Sequence, residues 1–191
     1  MPSDRHRVEA GQSRGLARRW RETLVGLRQV ASSRPILATS ITEALQYFSF
    51  GALETFLPLY AVLVLRLEPW QVGAIFGAQL LTTTLMKPIM GRASDRMGRR
   101  PMIVAGLIAS GLGMALVPAA SGFLALLPAG IIFGLGLAVV TASTSAYVSE
   151  LAKTTQHGSA LGVFSSIMDI GHASGPIVMG LLVVGAGYAL S

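Results

Sequence analysis

The sequence predicts an all-α polytopic membrane protein, a bundle of about five transmembrane helices, and three observations support this fold class. Of the 191 residues, 52% are apolar and only 13% are charged, whereas about a quarter of a soluble domain is charged. Five apolar segments approach the roughly 20 residues that a spanning helix needs. The charges are concentrated between these segments. Too few polar side chains are present to cover a water-exposed globule, so lipid must solvate much of the surface.

A basic leader occupies residues 1–34 and carries eight arginines. Four apolar residues recur within it at helical spacing, with arginines off their stripe: Leu16, Trp20, Leu24 and Leu27. This pattern predicts an interfacial amphipathic helix over 15–31 on the anionic cytoplasmic leaflet. A disordered basic tail is the alternative. No cleavable signal peptide is visible, because the arginines leave no apolar core of the required length.

The membrane domain is predicted to occupy residues 35–191. Its spans are expected at 36–65, 71–90, 101–120, 123–148 and 159–190. Ionisable residues interrupt the first and fifth of these segments, whereas the fourth carries no charge. Twenty-two glycines in the chain fit the same interpretation, because small residues allow membrane helices to approach closely.

The charge of the connecting segments predicts the orientation in the membrane. The leader carries eight arginines and residues 91–100 carry four, whereas 66–70 carries one and 118–122 none. Because basic loops remain on the cytoplasmic side, the N-terminus is expected in the cytoplasm. The sequence therefore predicts a multi-pass protein of the plasma (inner) membrane, and its net charge of +6 marks topology rather than nucleic-acid binding.

The densest charge lies between the second and third predicted spans. It reads Gly-Arg-Ala-Ser-Asp-Arg-Met-Gly-Arg-Arg over residues 91–100, and a plain basic anchor would not require this order of residues. The pattern G-x-x-x-D-R-x-G-R-R resembles the signature loop between the second and third helices of each half of a Major Facilitator Superfamily transporter. The resemblance implies a hinge that latches one six-helix half to the other during alternating access. It identifies as gating residues Gly91, Asp95, Arg96, Gly98, Arg99 and Arg100.

The fifth span contains a spaced series of glycines and one proline. The series consists of Gly162, Gly171, Gly175, Pro176 and Gly180. It resembles the glycine-proline helix that family antiporters carry as their fifth span, but its last spacing is longer by one residue. Similar sequence occurs in the eleventh span of many members. Glycines four positions apart form a close-packing face and a proline bends a helix, so the motif indicates either plain packing or a role in rocking.

Ionisable residues inside the predicted spans are candidates for function, because such groups are costly in lipid. Glu43, Tyr47, Phe50 and Glu54 share one face of the first span, and Asp169 and His172 share one face of the fifth. A carboxyl group held away from water can exchange a proton near neutral pH. The candidate site for a proton or a cationic substrate is therefore Glu43, Tyr47, Glu54, Asp169 and His172. The alternative is that these groups bond to neighbouring helices or reach water at a helix end.

Other polar residues carry weaker signals. Lys87 lies near the end of the second span and is expected to act as an interfacial anchor. Gln79 and Thr83 could line a polar cavity or bond helices together. The sequence has no phosphate-binding glycine loop for ATP, no nucleophile–base pair for an enzyme and no metal site, since His6, His157 and His172 are scattered. No cofactor is expected.

The resemblance covers residues 36–190, five of the six spans of a family half. Three features favour the second half. The leader looks like the long central loop of the family, the fourth span lacks the arginine of first-half fourth spans, and residues 168–176 look like eleventh-span sequence. Since alternating access needs two bundles around one site, the missing other half is an expected partner.

The resemblance implies a secondary transporter that moves a small molecule across the lipid bilayer, with proton-coupled efflux as the expected mode. Two alternatives remain open. The first is a truncated or half-length, non-transporting membrane protein that binds a partner. The second is a sugar or metabolite uptake porter.

Overall fold

The computed structural model describes residues 33–152 and 157–190 together with Arg21 and Arg28, and this part of the chain is helical with short connections. Its helices are α1 (Arg34–Leu63), α2 (Pro69–Met97), α3 (Arg99–Leu116), α4 (Phe123–Leu151) and α5 (His157–Leu190). The all-α fold class predicted from the sequence is therefore confirmed. The amphipathic helix predicted over 15–31 lies outside the described residues, apart from Arg21 and Arg28.

Local sequence signals explain where α2 begins and ends. Glu68 and Gln71 form a reciprocal capping box, in which the Glu68 backbone N–H donates to Gln71 Oε1 at 2.8 Å, and Pro69 occupies the first helical position. The helix then continues to Met97, well into the segment 91–100 that the sequence predicted as a loop. Only Gly98 leaves the helical conformation, with φ of 93°, which favours glycine. Charged side chains can reach water from a helix end, so the backbone need not uncoil there.

Helix α4 is the centre of the bundle. It packs along both α2 and α3, while α1 packs chiefly along α5 and more lightly against α4. Small residues permit the closest approach, since a Cβ atom added at Gly136 of α4 would collide with the backbone and hydroxyl of Ser110 in α3. A buried apolar cluster that includes Leu57, Ile75 and Phe133 joins α1, α2 and α4.

Among the helices of the described residues, two are apolar and long enough to cross a membrane by length and composition alone. The first covers Phe123–Leu151 with a mean hydropathy of 2.5, and the second covers Ala160–Gly185 with 1.6. The other three helices carry charged residues, which lower their mean hydropathy. Large apolar side chains nevertheless cover the outer faces of the bundle, with Leu124 of α4 81% exposed. Such a surface is typical of helices solvated by lipid.

Candidate functional site

The charged hinge between α2 and α3 is tied to the end of α4 by one arginine. Arg99 Nη2 lies 2.6 Å from Asp95 Oδ1 and 2.5 Å from Glu150 Oε1, and its side chain is only 14% exposed. Hydrogen bonding to Glu150 raises the pKa of the Arg99 guanidinium above its usual value, so Arg99 remains charged. One side chain thereby joins α2, α3 and α4.

The other predicted hinge residues lie apart from this bridge. Arg96 and Arg100 are exposed, and a Cβ atom added at Gly91 would meet no atom within 4 Å. Glu150, which completes the bridge, was missed by the sequence analysis. The available signal was its place as an acidic residue two positions after the uncharged predicted span 123–148.

The glycines of α5 mark a close crossing with α1. A Cβ atom at Gly171 would collide with the Ala44 carbonyl, and one at Gly175 would collide with the Phe48 carbonyl. Gly51 of α1 completes the contact, because a Cβ atom there would collide with the His172 backbone. The two helices can therefore approach only because side chains are absent at these positions.

The remaining residues of the glycine-proline series do not lie at the close contact between α1 and α5. A Cβ atom at Gly162 would meet no described atom within 4 Å, and one at Gly180 would make only an ordinary contact with Phe56 at 3.9 Å. Pro176 lies in the interior of α5. The middle of the predicted motif therefore packs closely against α1, whereas its two ends do not.

An aromatic and ionisable cluster lies beside the crossing of α1 and α5. His172 Nε2 lies 3.0 Å from Glu54 Oε2. The imidazole ring stacks on Phe50, with centroids 5.3 Å apart and planes 10° apart, and it meets the Tyr47 ring edge-on at 6.1 Å. His172 therefore pairs across the two helices with Glu54. Asp169 is exposed and makes no such pair with any residue that the structure describes.

Glu43 lies in a different environment. It is only 2% exposed, and its Oε2 accepts a hydrogen bond at 2.7 Å from the Thr144 hydroxyl of α4. The same hydroxyl oxygen is 2.8 Å from the Val140 carbonyl. Because a hydroxyl has one proton, Thr144 can donate to Glu43 or to Val140. When Thr144 donates to Val140, its contact with Glu43 needs a proton on the carboxyl group.

The four residues predicted to share one face of α1 therefore lie in two different environments at different heights along the helix. At Glu43, α1 lies against α4, whereas Tyr47, Phe50 and Glu54 lie farther along, where a cleft separates α1 from α2. Helical spacing predicts the shared angle of side chains around an axis. It does not predict that the neighbouring helix changes from one turn to the next.

The cleft between α1 and α2 has a volume of about 430 Å³, within the range of small-molecule sites. It is lined by Tyr47, Phe50 and Glu54 of α1, by Phe76, Gln79, Leu80, Thr83 and Lys87 of α2, and by Leu137 of α4. Among the described residues, none bonds to Oε1 of Gln79, which is buried. The Thr83 hydroxyl lies 2.9 Å from the Gln79 carbonyl and 3.0 Å from the Gly134 carbonyl. The cleft thus combines aromatic walls with hydrogen-bond acceptors.

The fold and the site together define a polytopic helical membrane protein with an ion-paired hinge and a polar cleft between its helices. The sequence profile of the Major Facilitator Superfamily matches residues 39–191. The chain therefore belongs to the Major Facilitator Superfamily, a family of membrane transporters.

Three transporters are similar in sequence to part of this chain. The chain is 32% identical to the hexuronate transporter of Bacillus subtilis over 128 residues, 66% of this chain and 30% of the relative. It is 30% identical to an MFS-type transporter of Methanocaldococcus jannaschii, over 59% of this chain and 29% of the relative. It is 29% identical to the class C tetracycline resistance protein of Escherichia coli, over 58% of this chain and 28% of the relative. The matched region thus spans less than a third of each relative.

Proposed function

We propose that this chain forms part of a secondary transporter that exports a small molecule in exchange for protons. The observation that carries the proposal is the difference between two carboxyl groups on α1. Glu43 is buried against Thr144, where an organic molecule cannot contact it. Glu54 lines the open cleft, where a substrate can contact it. One helix thus supplies separate places for a proton and a substrate.

The names of the relatives support small-molecule transport, but they refer to different compounds. They include the hexuronate transporter and the tetracycline resistance protein. They also include multidrug resistance protein 1 of Bacillus subtilis, which is 27% identical over 62% of this chain. Since a transporter protects a cell by removing a compound, the two resistance proteins favour export over uptake.

We propose that the chain works together with a second bundle, as five spans of the carboxy-terminal half of a transporter. A substrate site in alternating access lies between two bundles, and a cleft between α1 and α2 of one bundle is only one side of such a site. An apolar groove of about 540 Å³ between α1, α3 and α5, lined by residues such as Phe56, Met114 and Met179, would receive a further helix. Both surfaces are consistent with a chain that spans less than a third of its relatives.

We propose further that the hinge faces the cytoplasm of a plasma membrane. The connection between α1 and α2 carries one basic residue, Arg66, whereas the hinge end carries Arg92, Arg96, Arg99 and Arg100. The chain has no cysteine, so single cysteines can be introduced without background. Met97→Cys should react with an impermeant maleimide only after cell lysis, and Ser121→Cys should react in intact cells. The reverse labelling pattern would contradict this orientation.

The proposed transport activity can be tested in the native host, where any partner bundle is present. Everted membrane vesicles are prepared from a deletion strain and from strains that express the wild-type chain or Glu43→Gln. Respiration acidifies the vesicles, and the release of protons is followed after addition of aromatic amines, aromatic cations, sugars and sugar acids. We expect at least one compound to release protons only in wild-type vesicles, because Glu43→Gln cannot exchange a proton.

Two results would contradict the proposal. If no compound distinguishes wild-type vesicles from deletion vesicles, the alternative of a non-transporting protein that binds a partner is favoured. If a sugar is accumulated by intact wild-type cells and Glu43→Gln leaves this uptake unchanged, the uptake-porter alternative is favoured.

A further inference from the structure

We propose that the cleft between α1 and α2 binds an aromatic organic cation, with the positive group of the ligand at Glu54. This inference rests on the proposed transport function, because it names the substrate class of the same site. It follows from the shape of the cleft, the aromatic rings on its walls, the acceptor groups that it contains and the position of its one lysine.

The walls of the cleft suit a flat, unsaturated ligand. Tyr47 and Phe50 of α1 and Phe76 of α2 contribute three aromatic rings to a cavity of about 430 Å³. Aromatic rings stack on other rings, and their faces attract organic cations.

Two polar groups of the cleft, Glu54 and Thr83, can accept hydrogen bonds from a ligand. Oε2 of Glu54 is hydrogen-bonded to His172, while Oε1 has no hydrogen-bond partner within the described part of the chain. The Thr83 hydroxyl proton is taken by a backbone carbonyl, so its oxygen can only accept from a ligand. A ligand that donates hydrogen bonds and carries positive charge satisfies both groups, as a protonated aromatic amine does.

The position of Lys87 orients such a ligand. Lys87 follows Gln79 by eight positions on α2, which places its Cα roughly 12 Å farther along the helix axis, at 1.5 Å per residue. The lysine therefore repels a cation from its own end of the cleft, while Glu54 attracts the cation.

Binding can be measured with three fluorescent dyes of similar three-ring shape. Proflavine is a cation with N–H donors, acridone is neutral, and anthracene-9-carboxylate is an anion. The full chain is placed in lipid nanodiscs, protein-free nanodiscs supply the background, and fluorescence anisotropy gives the affinities. We expect proflavine to bind about tenfold more tightly than acridone, since charge-assisted contacts favour the cation. The anion should bind most weakly.

Matched variants identify the groups responsible. Glu54→Gln keeps the side-chain shape and should weaken proflavine binding by about tenfold without changing acridone binding. Phe76→Leu should weaken the binding of both dyes. Two variants outside the cleft serve as controls: Glu68→Gln at the start of α2, and Phe56→Leu in the apolar groove. Neither control should change either affinity, and far-UV circular dichroism should show the same helix content in every protein.

Equal binding of proflavine and acridone, or proflavine binding that survives Glu54→Gln, would overturn the proposal. These failures are distinguishable from failure of the transport function, because equilibrium binding requires no proton gradient. If the vesicles transport a sugar acid while proflavine does not bind, only the substrate class is wrong. If proflavine binds as expected while the vesicles transport nothing, only the transport function is wrong.

Discussion

The Thr144 hydroxyl lies 2.7 Å from Oε2 of Glu43, although the two residues are 101 positions apart in the sequence. This bond joins α4, the central helix of the bundle, to α1, which carries the candidate site. Since Thr144 has one proton to share between Glu43 and the Val140 carbonyl, the direction of the bond depends on whether Glu43 is protonated. Threonine can therefore serve both states of the carboxyl group without moving.

The first prediction concerns Thr144→Val, which keeps the shape of the side chain and removes its hydroxyl. The ionised form of Glu43 would lose its described hydrogen-bond donor, and a bond to a charged group contributes about 1.5–3 kcal/mol. Proton-coupled transport in everted vesicles should therefore slow by about tenfold or more. Thr144→Ser restores the hydroxyl and should restore most of the rate. Equal rates for the valine and serine variants would show that the hydroxyl plays no part.

The second prediction concerns the crossing of α1 and α5. Gly171→Ala places a methyl group against the Ala44 carbonyl, and overpacking of this kind costs about 1–3 kcal/mol. Gly162→Ala is the matched control, because a Cβ atom at Gly162 would meet no described atom within 4 Å and alanine favours a helix by up to about 1 kcal/mol over glycine. Unfolding in mixed micelles should therefore show a less stable Gly171→Ala and an unchanged or more stable Gly162→Ala. Equal stabilities would contradict the close crossing.

The third prediction concerns the bridge formed by Arg99. Arg99→Gln removes the charge that Asp95 and Glu150 share, so the hinge should separate from the end of α4 and transport should fall severalfold. Because both carboxylates are more than half exposed, the loss of stability should be only about 1 kcal/mol. Arg99→Lys should be intermediate, since an ammonium group lacks the planar fork of donors.

Arg92→Gln provides the control for this bridge, because Arg92 is an exposed arginine of the same segment outside the predicted gating set. Transport rates and unfolding free energies of the four proteins can be compared directly. If Arg92→Gln and Arg99→Gln reduce transport equally, the effect belongs to the total charge of the segment rather than to the bridge.

The fourth prediction concerns competition for Glu54. His172→Phe keeps an aromatic ring to stack on Phe50 and frees Oε2 of Glu54, which His172 now contacts at 3.0 Å. Both carboxylate oxygens then become available to a cation. Proflavine affinity should therefore rise by about threefold to tenfold, each factor of ten being 1.4 kcal/mol. A fall in affinity would indicate that His172 itself contacts the ligand.

Hydropathy and charge were sufficient to predict the all-α fold class and a bundle of about five helices. The signature segment also indicated the family that the sequence profile later matched. The extent of the hinge could not be predicted, because hydropathy marks where charge begins rather than where a helix ends. The backbone leaves the helix only at Gly98, whose φ of 93° is a local property of a single residue.

The partners of the site residues were harder to predict than the residues themselves. Helical spacing placed Asp169 and His172 on one face, but His172 contacts Glu54 of another helix. In the same way, Glu150 lies 51 positions from Arg99. Contacts of this kind depend on which helices are neighbours and on the height at which they cross. The periodicity of a single helix predicts neither of these.

The central claim, that Glu43 carries the proton and Glu54 contacts the substrate, is tested most directly by comparing two kinds of transport in the same vesicles. Proton-driven export of proflavine requires both groups, whereas exchange of labelled for unlabelled proflavine requires only the substrate site. We predict that Glu43→Gln abolishes proton-driven export and retains exchange, while Glu54→Gln abolishes both. If Glu43→Gln also loses exchange, or if Glu54→Gln retains it, the assignment of the two carboxyl groups is contradicted.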